Sequence, residues 1–196
     1  MSELRPLSIN RGQITFTTLS PDGEDSGETH YRQGRSSLAT DTLIELKDIH
    51  VIRVRADMKG KGPSAAFNLL ESRLPSLKGR RFYGTFRMLS NGEEEYYACV
   101  EMVDEDDPKA MQLDTGLIPG GVYVRRRVMG WEKVVREGRL PALFGRFAAS
   151  YEPYIDHEEI RPSIEFYRSH EELLMLMPVR KDTPLEAVAF RSVEMS

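Results

Sequence analysis

The stretch RFYGTFRMLSNGEEEYYACVEMV, residues 81–103, decides the fold. Its first arm, 81–88, alternates two sets of side chains with the period of a β-strand. The second arm, 95–103, returns along it. Between them stands Asn91-Gly92, a dipeptide that favours a tight hairpin turn because both residues tolerate positive φ. The stretch therefore predicts an antiparallel β-hairpin.

The segment before this hairpin predicts a strand followed by a helix. Residues 43–55 are rich in β-branched side chains, which is typical of one strand or of a bent pair of strands. A glycine-containing loop, 59–64, follows and ends in Pro63-Ser64, a suitable helix start. Apolar residues then recur at helical spacing until Pro75. Together with the hairpin, this is a βαββ unit.

The same order of elements repeats in the second half of the chain. After the acidic linker 104–107, residues 117–128 predict a strand, and Gly130-Trp131 opens a helix that Pro141 breaks or restarts. Two further strands, 163–168 and 173–179, form a second hairpin. We expect an α+β fold: tandem duplicated βαββ units forming a pseudo-twofold antiparallel sheet with two helices and a central ligand cleft.

The two ends of the chain differ from this pattern. Residues 1–41 are extended and dense in turn formers, which predicts either a leader arm or a β-hairpin added to the domain or to a partner subunit. A hairpin added to a partner subunit would join two copies of the chain into a homodimer through the arm. Residues 42–180 form the predicted domain, and residues 181–196 a C-terminal tail or a closing strand.

Composition excludes several classes of function. The chain has 196 residues, a formal charge of −4 and one cysteine, Cys99, so it forms no internal disulfide and no thiolate metal cluster. Four scattered histidines lack metal-ligand spacing, and the glycines at 60–62 fall short of a phosphate loop. We expect no metal, no cofactor and no direct nucleic-acid partner. No apolar run approaches the ~20 residues of a membrane span, so the predicted location is the cytoplasm.

Glu165 is the residue most suggestive of a binding site. Strand alternation directs Glu165 and Tyr167 to one face and Ile164 and Phe166 to the other. If the second pair faces the helices, Glu165 points into the open face. The opposing strand, 173–177, is apolar on both faces, so we expect the face that carries Glu165 to be partly shielded from solvent. A carboxylate among apolar groups is costly unless a cation or hydrogen bonds compensate it, which indicates a ligand.

Aromatic and methionine side chains supply candidate walls for such a site. Aromatic faces attract organic cations by roughly 0.5–2 kcal/mol each, and the methionine thioether adapts to varied shapes. A simple core role is the alternative for all of these residues. The predicted ligand is a small organic molecule, cationic or planar aromatic, and the predicted ligand-binding residues are Glu165, Tyr167, Tyr97, Trp131, Tyr123, Met175, Met177 and Tyr154.

Three motifs carry a resemblance to a known family. They are EYYACVE at 95–101, LIPGGVY at 117–123 and RPSIEFY at 161–167. In this order they resemble the GyrI-like small-molecule-binding domains, which are similar to the effector-binding domains of AraC-type and MerR-type regulators. The resemblance covers residues 42–180 and implies that Glu165 is the central pocket glutamate that meets cationic, lipophilic drugs. Because residues 1–41 do not resemble a helix-turn-helix, the chain is expected to act as a stand-alone member without binding DNA.

Three functions remain open at this point. The first is a binding module for drug or toxin sequestration or for signalling. The second is a hydrolase of cyclopropane-bearing alkylating compounds, in which Glu165 acts as general base. The third is a protein-interaction domain that inhibits a topoisomerase by surface contact, an activity that the family name itself implies.

Overall fold

A computed structural model describes residues 41–157 and 161–183. It contains eight strands, β1 (Thr42–Leu46), β2 (Ile49–Arg55), β3 (Phe82–Met88), β4 (Glu94–Glu101), β5 (Asp114–Ile118), β6 (Gly121–Met129), β7 (Ser163–Tyr167) and β8 (Glu172–Pro178). The helices are α1 (Gly62–Arg73), α2 (Trp131–Arg136) and α3 (Leu140–Tyr151), with a 3₁₀ turn at Glu152–Tyr154. The predicted arm and most of the predicted tail lie outside the described residues.

All eight strands belong to one antiparallel sheet in the order β1-β6-β8-β7-β3-β4-β2-β5. The α+β class is therefore confirmed, while the duplication of the unit stays a prediction. Both predicted hairpins are present. In the first, Gly92 has φ +80° and its amide donates to the Leu89 carbonyl at 2.8 Å, which sets Phe86 opposite Tyr96. The predicted hairpin is confirmed, but its turn is one residue longer than a two-residue Asn-Gly turn, because the Leu89 amide donates to the Glu93 carbonyl.

The prediction of one strand over residues 117–128 is wrong. The chain breaks at Pro119-Gly120, between β5 and β6, because proline has no amide to continue a strand ladder. The Gly120 amide donates to Asp48 Oδ1 at 2.7 Å, and a Cβ on Gly120 would lie 2.6 Å from the Leu46 carbonyl oxygen. Gly120 approaches the chain between the end of β1 and the start of β2, where residues 43–55 divide into two strands.

The second predicted helix is likewise two helices. Gly138 has φ +66°, a left-handed conformation that ends α2, and Pro141 occupies the first turn of α3, where a missing amide costs nothing. The prediction that Pro141 restarts the helix is confirmed. The expected total of two helices is wrong, since the described residues contain three.

The helices cover one face of the sheet in two blocks. α1 packs on β2 and β4, where Phe67 and Leu70 are buried. α3 packs over β6 and β8 through Phe147 and Tyr151. The opposite face has its own buried cluster, which includes Ile164. The two central strands, β7 and β3, therefore run beneath the gap between α1 and α3.

Candidate functional site

A cavity of about 750 Å³ lies in this gap. α1 forms one wall, α3 forms the other, and the central strands form the floor. Most of the lining is apolar, so the cavity suits an organic molecule more than a hydrated ion. The apolar side chains that line it are Met58, Phe67, Phe86, Met88, Val135, Leu140, Phe144, Ala148, Ile155 and Met177.

Glu165 lies on the floor of the cavity, on β7 opposite Gly84 of β3. Its Oε2 accepts a hydrogen bond from the Tyr96 hydroxyl at 2.6 Å and a second, short one from the Tyr167 hydroxyl. Ile164 and Phe166 do not face the helices, because both pack in the cluster on the opposite face. Glu165 and Tyr167 instead occupy the helical face, between the two helix blocks.

Gly84 provides the space for this arrangement. A Cβ at this position would lie 2.0 Å from the Tyr96 hydroxyl oxygen and 2.6 Å from Glu165 Oε2. No real pair of atoms approaches so closely without a shift, and Tyr96 is too buried to move freely. The hydrogen bond from Tyr96 on β4 to Glu165 on β7 therefore passes over Gly84 of β3, where any larger residue would block it.

The two tyrosines hold Glu165 as neutral groups. Burial raises the pKa of Tyr96 well above its usual value, and the nearby charge of Glu165 raises it further. A phenol with a raised pKa remains a hydrogen-bond donor across the physiological range. These two donors orient the carboxylate without cancelling its charge.

Aromatic contacts fix the position of Tyr167. Its ring meets Phe67 of α1 edge to face, with centroids 5.4 Å apart, and Trp131 of α2 at 5.0 Å. Trp131 is 3% exposed, and its indole Nε1 donates to the Ser169 carbonyl at 2.8 Å. Trp131 is thus held behind Tyr167 and supports it without lining the cavity.

Arginines pair with two other carboxylates near the cavity. Arg161 bonds Asp156 at 2.5 Å, and its guanidinium also donates to the Val179 carbonyl at 2.6 Å. Arg87, which also lines the cavity, pairs with Glu95 at 2.6 Å. These pairs are internal to the protein, so Arg161 and Arg87 already have carboxylate partners at the edge of the cavity.

The structure brings only some of the predicted site residues together. Glu165, Tyr167 and Met177 line the cavity. Trp131 and Met175 are buried beside them, and Tyr154 packs at the edge of the α3 cluster. Tyr97 and Tyr123 belong to the opposite face, where the Tyr123 hydroxyl donates to the Pro119 carbonyl at 2.9 Å. The part that any of them takes in binding stays a prediction.

Sequence reasoning missed Tyr96, Gly84 and the walls formed by Phe67 and Phe144. The hairpin register places Tyr96 opposite Phe86, so parity within the hairpin shows that these two share a face. The pairing of β3 with β7, which adds Glu165 to that face, joins residues that are about 80 positions apart in the chain. No local pattern specifies that pairing.

Over 41–157 and 161–183, no three His, Cys, Asp or Glu side chains are grouped so that they could hold a metal ion. Within these same ranges, no helix is long and apolar enough to cross a bilayer.

No family model matches the sequence, and no curated protein matches it. Several solved structures share the fold. An integron cassette protein from Vibrio cholerae is 18% identical with a TM-score of 0.51, over 72% of this chain and 96% of that chain.

SAV2435, solved bound to tetraphenylphosphonium, is 14% identical with a TM-score of 0.52, over 77% of this chain and 98% of that chain. A hydrolase from Listeria innocua is 13% identical with a TM-score of 0.48, over 74% and 94% of the two chains. At these identities, the similarity to the first two establishes that this chain adopts their α+β fold.

Proposed function

We propose that this protein binds lipophilic organic cations, aromatic ones included, in the cavity between α1 and α3, with Glu165 as the counter-charge. The observation that carries the proposal is a carboxylate held by two neutral phenols on the floor of a mostly apolar cavity. The bound molecule would supply the positive charge that the phenols do not.

The physical chemistry of the cavity favours this class of ligand. Its volume of about 750 Å³ lies within the range of roughly 300–1,000 Å³ that is usual for drug-sized ligands. Lipophilic cations carry their charge on a weakly hydrated body, so they lose little on leaving water and gain contacts with Phe67, Phe86 and Phe144. An inorganic cation would lose its hydration shell without gaining a set of oxygen ligands.

We infer that the chain is a stand-alone GyrI-like domain built from a duplicated βαββ unit. The strand order supports the duplication: outward from β7 it runs β8, β6, β1, and outward from β3 it runs β4, β2, β5. The cavity would then be the central cleft between the halves. The tetraphenylphosphonium bound to SAV2435, which shares the fold, supports the choice of ligand class. Drug sequestration and signalling are both compatible with such a site.

Hydrolysis of cyclopropane-bearing alkylators would use the same carboxylate. The phenols that contact Glu165 Oε2 are hydrogen-bond donors, which stabilise the charged form of a carboxylate and so suit a counter-charge better than a general base. A topoisomerase contact would use the protein surface instead. Binding is therefore the function that the described geometry supports best.

Isothermal titration with tetraphenylphosphonium tests the proposal. We expect Glu165→Gln to weaken binding more than tenfold, about 1.4 kcal/mol, because the amide keeps the shape but removes the charge. Glu45→Gln is the matched control, since Glu45 is exposed on β1 and does not line the cavity. Equal affinity in wild type and Glu165→Gln would remove Glu165 from the site. Failure of the wild type to bind this cation would overturn the proposed ligand class.

A further inference from the structure

A second acid, Glu94, lines the cavity at its rim. Glu94 and Tyr96 lie two residues apart on β4, so both point to the helical face. Glu94 is exposed, and within residues 41–157 and 161–183 it takes part in no ion pair. Glu94 therefore presents a carboxylate at the cavity mouth, while the carboxylate of Glu165 lies at the floor.

Strand register gives the spacing of these two acids. Glu94 pairs with Met88 of β3, and Glu165 pairs with Gly84 of the same strand. Four residues along β3 correspond to ~13 Å, and the two strand spacings from β7 to β4 correspond to ~9.5 Å. For a flat sheet, the Cα atoms of Glu94 and Glu165 are thus roughly 16 Å apart.

The surface between the two acids is apolar. Phe86 and Met88 lie on the helical face of β3, and both line the cavity. A methylene chain that runs from Glu165 to the rim would lie against these side chains. Charge at both ends and an apolar path between them match a ligand with two cationic heads on a long hydrocarbon linker.

We propose that the cavity is selective for elongated dications, with one cationic head at Glu165 and the other at Glu94. This inference rests on the proposed function, because it assigns the second charge of a ligand whose first charge meets Glu165. Glu94 is a specificity-determining residue: it favours a long dication over a monocation of equal length. Its contribution is modest and weakened by salt, since the pair at the rim is exposed to solvent.

The experiment compares decamethonium, which has a cationic head at each end of a long chain, with decyltrimethylammonium, which has one head on a similar chain. Both are titrated into wild type, Glu94→Gln and Glu165→Gln. Glu93→Gln is the matched control, because it removes the same charge from the neighbouring position. Glu93 is exposed and does not line the cavity. Thermal melting of each variant checks that it folds.

We expect Glu94→Gln to weaken the binding of decamethonium about three- to fivefold and to leave the affinity for decyltrimethylammonium unchanged within about twofold. Hexamethonium, whose heads are closer together, should be insensitive to Glu94→Gln. If Glu94→Gln lowered the affinity for decamethonium and decyltrimethylammonium equally, or lowered neither, the dication inference would be overturned. Insensitivity of both ligands to Glu165→Gln would overturn the proposed function instead, so the two failures are distinguishable.

Discussion

Two carboxylates on opposite faces of the sheet, Glu165 and Glu95, have different surroundings, and the consecutive residues Tyr96 and Tyr97 show how. On the helical face, the Tyr96 hydroxyl donates to Glu165 at the floor of a large cavity. On the opposite face, the Tyr97 hydroxyl donates to Glu95 at 3.2 Å, and the Arg53 guanidinium lies 4.3 Å from the centre of its ring. Glu165 thus accepts hydrogen bonds from phenols, while Glu95 on the opposite face is paired with Arg87.

Side chains at the centre of the sheet pack more tightly on the opposite face than on the helical face. The opposite face is closed: Tyr83 stacks on Phe166 with centroids 4.9 Å apart, and Cys99 is 1% exposed. Burial raises the pKa of the Cys99 thiol to about 12, so it behaves as an inert core residue. The helical face stays open because α1 and α3 each cover their own strands and leave the centre uncovered. Both faces carry a buried cluster, so the faces differ in the space left at their centres.

The largest effect that tests this contrast is expected from Gly84→Ala. Its Cβ would meet the Tyr96 hydroxyl and Glu165, so the variant combines overpacking with a lost hydrogen bond to a charged group. We expect the free energy of unfolding to fall by about 3 kcal/mol, together with at least tenfold weaker binding of tetraphenylphosphonium. Urea unfolding and titration measure the two quantities.

Gly116→Ala is the matched control on the closed face. Its Cβ would meet Arg53 Nε at 2.7 Å, but a long arginine side chain can turn aside. Alanine also favours a strand over glycine by roughly 0.5–1 kcal/mol. We expect stability to change by less than ~1 kcal/mol and affinity to stay constant. Equal costs at Gly84 and Gly116 would show that the contact with Tyr96 and Glu165 is not specially constrained.

A smaller effect is expected from Tyr96→Phe, compared with Tyr97→Phe. Removing the Tyr96 hydroxyl leaves Glu165 with Tyr167, so the expected loss of stability is about 1.5 kcal/mol, with about threefold weaker binding of the cation. Tyr97→Phe should cost less than ~0.5 kcal/mol, because Arg87 still pairs with Glu95. Both variants are measured by urea unfolding and titration. A larger loss of affinity in Tyr97→Phe would reverse the assignment of the two faces.

Local chemistry in the sequence predicted part of this fold. The turn residues Asn91-Gly92 mark the hairpin of β3 and β4, and Pro141 marks the start of α3. Alternation correctly separates Glu165 from Ile164, since it depends only on neighbouring residues. These features need no information from distant parts of the chain.

Which face of the sheet the helices cover depends on contacts between distant residues, so the sequence left it open. Whether the helices cover Glu165 or Ile164 depends on where α1 and α3 pack and on the pairing of β7 with β3. The choice of Tyr97 over Tyr96 was a difference of one residue, and one residue reverses the face of a strand. A two-residue turn at Asn91-Gly92 would place Phe86 opposite Tyr97, whereas the longer turn in the structure places it opposite Tyr96. The contact of Tyr96 with Glu165 depends in addition on the pairing of β3 with β7.

The smallest expected effect is a pH dependence confined to the closed face. Burial alone would raise the pKa of Glu95, but hydrogen bonds from Arg87 and Tyr97 and the charge of Arg87 outweigh it, so the pKa is lowered from its usual 4.5. A carboxyl with a lowered pKa stabilises the fold above its unfolded pKa and loses that contribution as the pH falls through its folded pKa. We therefore expect wild type to exceed Glu95→Gln in stability by at most ~1 kcal/mol at pH 7. In urea unfolding, this difference should shrink steadily as the pH falls below 4.5. A difference that stays constant into acid would mean that the arginine pairs of the closed face do not stabilise it through charge, and the electrostatic contrast between the two faces would fail.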